Sequence, residues 1–168
     1  MLTFKGMSSQ TAQSLWDGGT DDHGNLPERA RSDGLGNPCR HCLKMIDEGE
    51  EFLILSHKPF VSRQPYAEQG PIFLHAEPCA AYHHRDDRSD TLPPVLNDSP
   101  QYMLRGYDGD ERIVYGSGSV VATASISSYA QDLLDQPNIE FVHVRTASNN
   151  CWQARIERQD DTSSNIGT

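Results

Sequence analysis

An α+β fold with a mainly antiparallel sheet and few short helices is what the sequence predicts, and three observations lead there. The last third reads strand, strand, helix, strand, strand, with turn signals between (101–158). The chain opens on a short strand followed by a short helix. Between these parts, two apolar runs of strand length are flanked by cysteine and histidine at regular spacing. With 168 residues there is material for one core, so 1–158 is expected to form a single domain. The hydrophobic share is only 36%, with 13 Gly and 10 Pro, which implies many loops and a core that gains from a staple such as a bound metal.

"LTFKG" is the opening strand, and "SSQTAQSLWD" a helix capped by Ser8 or Ser9, whose hydroxyl can accept a free amide of the first turn. Residues 18–38, dense in Gly, Pro, Asp and Asn, read as a loop. "EEFLILSH" and "GPIFLHA" are strands with "KPFVSRQPYAEQ" between them. "EPCAAYHH" reads as a helix start, with Pro78 at the first helical position, where a missing amide costs nothing. Residues 85–100, charged and Pro-bearing, read as a mobile linker. "QYMLRGYD" and "RIVYGSGSVV" are strands turning at Asp108-Gly109. "SSYAQDLLD" is a helix stopped by Pro137, and "IEFVHVRTA" with "CWQARIER" forms a hairpin over Ser148-Asn149-Asn150. The tail, 159–168, is polar enough to be disordered.

Charge narrows the partners. The net charge is −10, from 24 acidic and 14 basic residues, and the excess is spread: +3 and −5 over 1–36, +6 and −9 over 37–90. Such a chain lacks the basic footprint of a phosphate-backbone binder, so nucleic acid and anionic membranes are disfavoured. No apolar run reaches the ~20 residues of a membrane span, and no basic start with an apolar stretch marks a secretory signal. The expected compartment is the cytoplasm, where clustered cysteines point to metal or redox work rather than disulfides.

Three of the four cysteines fall in one stretch: Cys39-x2-Cys42, then His75-x3-Cys79. Three thiolates and one imidazole make a closed tetrahedral donor set, the usual composition of a structural zinc site. Pro38 leads into a turn that aims two sulfurs at one point, the strand pair carries His75, and the expected helix start would favour a thiolate at Cys79. Knuckle, strand pair and helix start form a treble-clef-like module over 37–84. His41, His83 and His84 stay open as alternative imidazoles, with His41 expected to point outward and His57 to be a surface residue. A thioredoxin-like pair or unliganded buried thiols would also account for "CRHC", though a redox pair would follow a strand and open a helix. "CRHC…I…GE…FLH…C" is similar to the finger of poly(ADP-ribose) polymerases, with one extra residue between the last two ligands, while the acidic surface argues against DNA-break binding.

Four ordered stretches, "NPCRHCLKMIDEGEEFLILSHKPF", "PYAEQGPIFLHAEPC", "YMLRGYDGDERIVYGSG" and "IEFVHVRTASNNCWQARIER", resemble the bacterial family called domain of unknown function 1203 over about 37–158. That resemblance implies no activity, which turns attention to the polar residues of its other motifs: Arg105, His143, Arg145, Cys151 and Arg155. Alternation places His143 and Arg145 on one strand face, and Cys151, Gln153 and Arg155 on one face of the next. If the faces coincide, guanidiniums, an imidazole and a thiol could hold a carboxylate or phosphate and supply a nucleophile or base. The plainer reading is a charged sheet face, salt-bridged to Asp108, Glu140 or Glu157. "YGSGSV" lacks the Lys-Ser/Thr and following helix of a phosphate loop.

The expectation is therefore a cytoplasmic protein with structural zinc on Cys39, Cys42, His75 and Cys79, which acts by binding a protein or a small anionic ligand. Two alternatives remain: a small enzyme using Arg105, His143, Arg145 and Cys151 on an anionic substrate, and a zinc-thiolate redox sensor. A homodimer also stays open.

Overall fold

Strand segments of the chain pair into two antiparallel sheets, seen in a computed structural model that describes residues 1–83 and 91–159. In chain order the elements are β1 Leu2–Lys5, α1 Ser9–Trp16, β2 Glu28–Arg31, β3 Glu51–His57, β4 Gly70–His75, β5 Gln101–Tyr107, β6 Ser119–Ala122, α2 Ile126–Leu134, β7 Phe141–Thr146 and β8 Trp152–Arg158. Short 3-10 turns cover Pro94–Asn97 and Thr123–Ser125. The larger sheet runs β1-β8-β7-β5-β6 and the smaller β2-β3-β4. The α+β class and the mainly antiparallel sheet are as the sequence implies.

Alternation along the large sheet divides its faces. Leu2, Phe4, Tyr102, Leu104, Val142, Val144, Ala154 and Ile156 are buried, and form one core with Ile126, Ala130, Leu133 and Leu134 of α2. Ile126, Ala130, Leu133 and Leu134 recur at helical spacing, so α2 turns one apolar stripe to the sheet. The opposite face carries Arg105, Tyr107, Phe141, His143 and Arg155, aligned because Arg105 pairs with His143 and His143 with Arg155. A bulge at Val144/Arg145 sets Arg145 opposite Trp152 and leaves Gln153 as the extra residue. A second core joins Phe52, Leu53, Leu55, Ile72 and Leu74 of the small sheet to Ala12 and Leu15 of α1 and to Trp152.

Four expectations need correction. Residues 18–38 are not all loop: Glu28–Arg31 pairs with β3, its mixed polar sequence giving no alternation signal because only Ala30 among its side chains turns inward. No helix begins at Pro78; residues 77–83 are irregular, so the module lacks a treble-clef helix among the described residues. The segment expected to be a mobile linker is in part core: Val95 and Leu96 are buried, and Val95 N–H donates to Leu43 O at 3.1 Å. Its remainder, 85–90, and His84 lie outside the described residues. The second strand of the 101–122 hairpin is Ser119–Ala122 only, with an isolated bridge from Tyr107 to Ile113 before it. Of the tail expected to be disordered, only Gln159 is described; its N–H donates to Met1 O at 2.9 Å.

Candidate metal centre

The knuckle is a tight turn with strained backbone. Leu43 N–H donates to Cys39 O at 3.0 Å, and Cys39 N–H to Lys44 O at 2.9 Å. Leu43 sits at φ 52, a left-handed conformation disfavoured for a branched side chain. That twist reverses the chain after Cys42, while burial of the Leu43 side chain in the large core holds it. A parallel bridge between Cys39 and Phe73, with Arg40 N–H on Phe73 O at 3.0 Å, lays the knuckle beside β4. β4 delivers His75, and the chain beyond it returns Cys79.

Donor atoms of Cys39, Cys42, His75 and Cys79 all lie within 4.8 Å of one another. The sulfurs of Cys39 and Cys79 are 3.8 Å apart, and Cys42 Sγ is 3.6 Å from His75 Nδ1. This cluster could hold one metal ion. His75 turns Nδ1 inward and Nε2 outward to Glu50 Oε2 at 3.5 Å, the carboxylate–imidazole arrangement that orients ligand histidines. The cysteines are free thiols, none in a disulfide. Without an ion, hydrogen bonds from Cys42 and Cys79, offset in part by burial and joined by His75, hold the Cys39 thiol far below its usual range. The Cys39 and Cys42 sulfurs in turn push His75 up to about 10 and Cys79 well above the ordinary thiol range. A divalent ion would displace the remaining protons, so binding and proton release are coupled.

His75 is the imidazole of the cluster. His41 does not point outward as the sequence suggested: it is buried, with Nδ1 3.3 Å from Cys79 Sγ and Nε2 3.0 Å from Ser9 Oγ. It is also edge-on to Trp16, at 5.3 Å between ring centres. Trp16 Nε1 donates to His75 O at 2.9 Å, so α1, capped by Ser8 rather than Ser9, closes over the centre. Arg40, fully buried, donates from Nε to Trp152 O and from Nη1 to Pro38 O, each at 2.7 Å, tying the knuckle to β8. Burial pushes its guanidinium down to about 10, partly offset by Cys151 and Cys39. Gly6 allows this approach: a Cβ there would lie 2.3 Å from Arg40 O.

The second candidate group converges only in part. Arg105 Nη2 bonds Glu68, and Arg145 Nη2 lies 2.8 Å from the same carboxylate oxygen. Arg105 Nε also donates to the Tyr107 hydroxyl at 2.8 Å. His143 is sealed among the rings of Phe60, Tyr107, Phe141 and Trp152, and neither of its nitrogens has a hydrogen-bond partner. Burial, reinforced by Arg145 and Arg155, holds it well below the usual imidazole range. Arg155 stacks 3.6 Å over Phe141 and bonds Glu157, and Cys151 sits apart at the hairpin end, its thiol facing Asn149 O at 3.8 Å. Of the expected salt-bridge acceptors only Glu157 is used; Glu68, from the segment between β3 and β4, holds both Arg105 and Arg145. His57 is not a simple surface residue either: it pairs with Asp22 at 3.3 Å and faces Trp152 at 5.4 Å.

A two-sheet α+β protein with a Cys3His cluster at the junction of its sheets is the class these features define. The chain belongs to the family described as "Protein of unknown function (DUF1203)", whose profile matches residues 36–158. No curated protein and no solved structure matches the chain. No described helix is long and apolar enough to cross a membrane.

Proposed function

We propose that the protein binds zinc, and that the ion clamps the segment Cys39 through Cys79 against α1 and β8 as a structural staple. One observation carries this reading: the donor separations. Zinc bonds of about 2.3 Å to sulfur and about 2.05 Å to nitrogen, at tetrahedral angles, place sulfurs about 3.8 Å apart and sulfur from nitrogen about 3.6 Å. Cys39–Cys79 at 3.8 Å and Cys42–His75 at 3.6 Å meet these values, and all donor pairs lie within 4.8 Å. Sulfur-rich tetrahedral donors favour zinc over harder ions. Four protein donors fill the coordination sphere, which supports a structural rather than a catalytic ion, because catalysis needs an open position. Free thiols fit a reducing compartment such as the cytoplasm.

The test is elemental analysis of protein purified without added metal, followed by limited proteolysis. One zinc per chain is expected. Cys79→Ser, or a strong chelator, should open 39–79 to cleavage and lower the melting temperature. Metal-free protein with full resistance and unchanged melting would overturn the proposal.

A further inference from the structure

Four strands end the two sheets, and three of them are protected. β1 carries Lys5, β2 carries Glu28, Arg29 and Arg31, and β4 has the knuckle beside it through the Cys39–Phe73 bridge. Charge and covering chain are the usual protection of a sheet edge, whose open amides and carbonyls otherwise pair with another chain. β6 has neither. No described segment pairs with its outer side. The stretch that contains it, 113–131, holds no charged residue and is the longest such stretch of the chain, in which 23% of residues are charged.

The ladder shows which groups are open. Thr123 N–H donates to Pro100 O at 3.0 Å, in the register that pairs Tyr102 with Val121 and Leu104 with Ser119. Bonding alternates along an antiparallel ladder, so Ser119 and Val121 face β5 while Val120 and Ala122 turn N–H and C=O outward. The side chain of Val120 is 51% exposed, and Gly118, Ala122 and Ala124 are exposed as well, so nothing bulky or charged screens these groups. The edge is also held in place. Ser117 Oγ accepts from Gly106 N–H at 2.9 Å, and the Tyr129 hydroxyl of α2 donates to Ser117 O at 2.9 Å. An edge ordered in advance pays less on pairing.

Charge selects the occupant. With a net charge of −10, two copies of the chain repel, and they approach at least cost through a surface that carries no charge. An uncharged edge offers no attraction to a charged partner, whereas its alternating donors and acceptors complement a second copy of themselves. A two-fold axis at Val120 sets Val120 of one copy opposite Val120 of the other, and Gly118 opposite Ala122 on both sides.

We infer that β6 pairs antiparallel with β6 of a second copy about this axis, joining the two five-stranded sheets into one. The inference is independent of the metal reading, and the test uses the full chain as purified, with zinc in the buffer. So short a contact is smaller than a standard interface, so the dimer is weak and concentration-dependent. Sedimentation equilibrium should show a monomer–dimer equilibrium, half complete at tens of micromolar, that approaches twice the chain mass of 18.7 kDa. Ala122→Pro is the sharpest variant. Ala122 already has φ −60, the angle the proline ring imposes, and its amide points outward, so the change removes a donor that the single chain does not use. It should weaken the dimer at least tenfold. Val120→Lys sets like charges opposite each other at the axis and should do the same, which keeps the inference testable if the proline variant does not fold. Leu35→Lys, at a site 79% exposed outside this edge, should change nothing. Added salt should strengthen the dimer, because it screens the repulsion between two acidic chains. A chain that stays monomeric towards millimolar concentration, a dimer that both Val120→Lys and Ala122→Pro leave intact, or one that salt dissociates would each overturn it.

Discussion

His143 should make the protein acid-sensitive, and the size of the effect follows from its burial. The imidazole is fully enclosed by four rings at 4.9 to 5.9 Å, with no hydrogen-bond partner, so its charged form is excluded from the folded state. In the unfolded chain it titrates near the ordinary value of about 6.5. Below that pH the unfolded state binds a proton that the native state refuses, so stability falls as pH falls, until the depressed folded pKa is reached. Between pH 7.5 and 5.5 this one group should remove about 1.4 kcal/mol, about three quarters of it below pH 6.5. His143→Leu, close in volume and without an ionisable group, should lose that component. Urea unfolding of both proteins at the two pH values, with zinc present, gives a double difference in which the other titrating groups cancel. The variant should be about 1.4 kcal/mol less sensitive to acid, or about 3 to 6 °C in relative melting shift. Identical pH dependence in the two proteins would refute the reasoning, since it would mean that His143 accepts a proton in the folded state.

Further outcomes follow from the metal centre and its supports. Glu50→Gln should weaken zinc binding about tenfold, the low end for an outer carboxylate because Glu50 is half exposed, as read by competition with a chromophoric chelator. Arg40→Met leaves Pro38 O and Trp152 O without their donors and should cost about 2 to 4 kcal/mol in urea unfolding. Cys79→Ser should leave the far-UV signature of the large sheet intact while 39–79 becomes protease-sensitive, because Cys39 and Cys42 belong to the second core, and the large core that α2 closes takes only Leu43 from the knuckle.

Much of this protein was legible from local pattern. Apolar runs of strand length mark β3 and β4, and alternation along β5, β7 and β8 tells which side chains share a face. The cysteine spacing picks out the three thiolates before any fold is known and puts His75 first among the candidate imidazoles, while the choice between it and His41 is made only by the fold. Local pattern fails where a residue's environment comes from elsewhere in the chain. β2 has no apolar face to announce it, because its stability comes from pairing with β3. Cys79 needs no helix: β4 and the chain after it bring its sulfur to Cys39.

The charged face shows the limit most clearly. Sequence alone placed His143 and Arg155 on the two strands of one hairpin, because hairpin pairing and alternation are short-range properties; that Arg105 lies beside His143 comes from the long-range pairing of β5 with β7. It could not find Glu68, whose carboxylate reaches Arg105 across 37 positions, or the Phe60 ring that covers His143. Nor could it set Trp152 opposite Arg145, since that pairing depends on a bulge in β8. Residue type and spacing determine which groups can bind a metal or carry charge. Whether a charge is neutralised, sealed from water or left facing a cavity depends on which distant segments pack over it, and that is decided only when the two sheets close on each other.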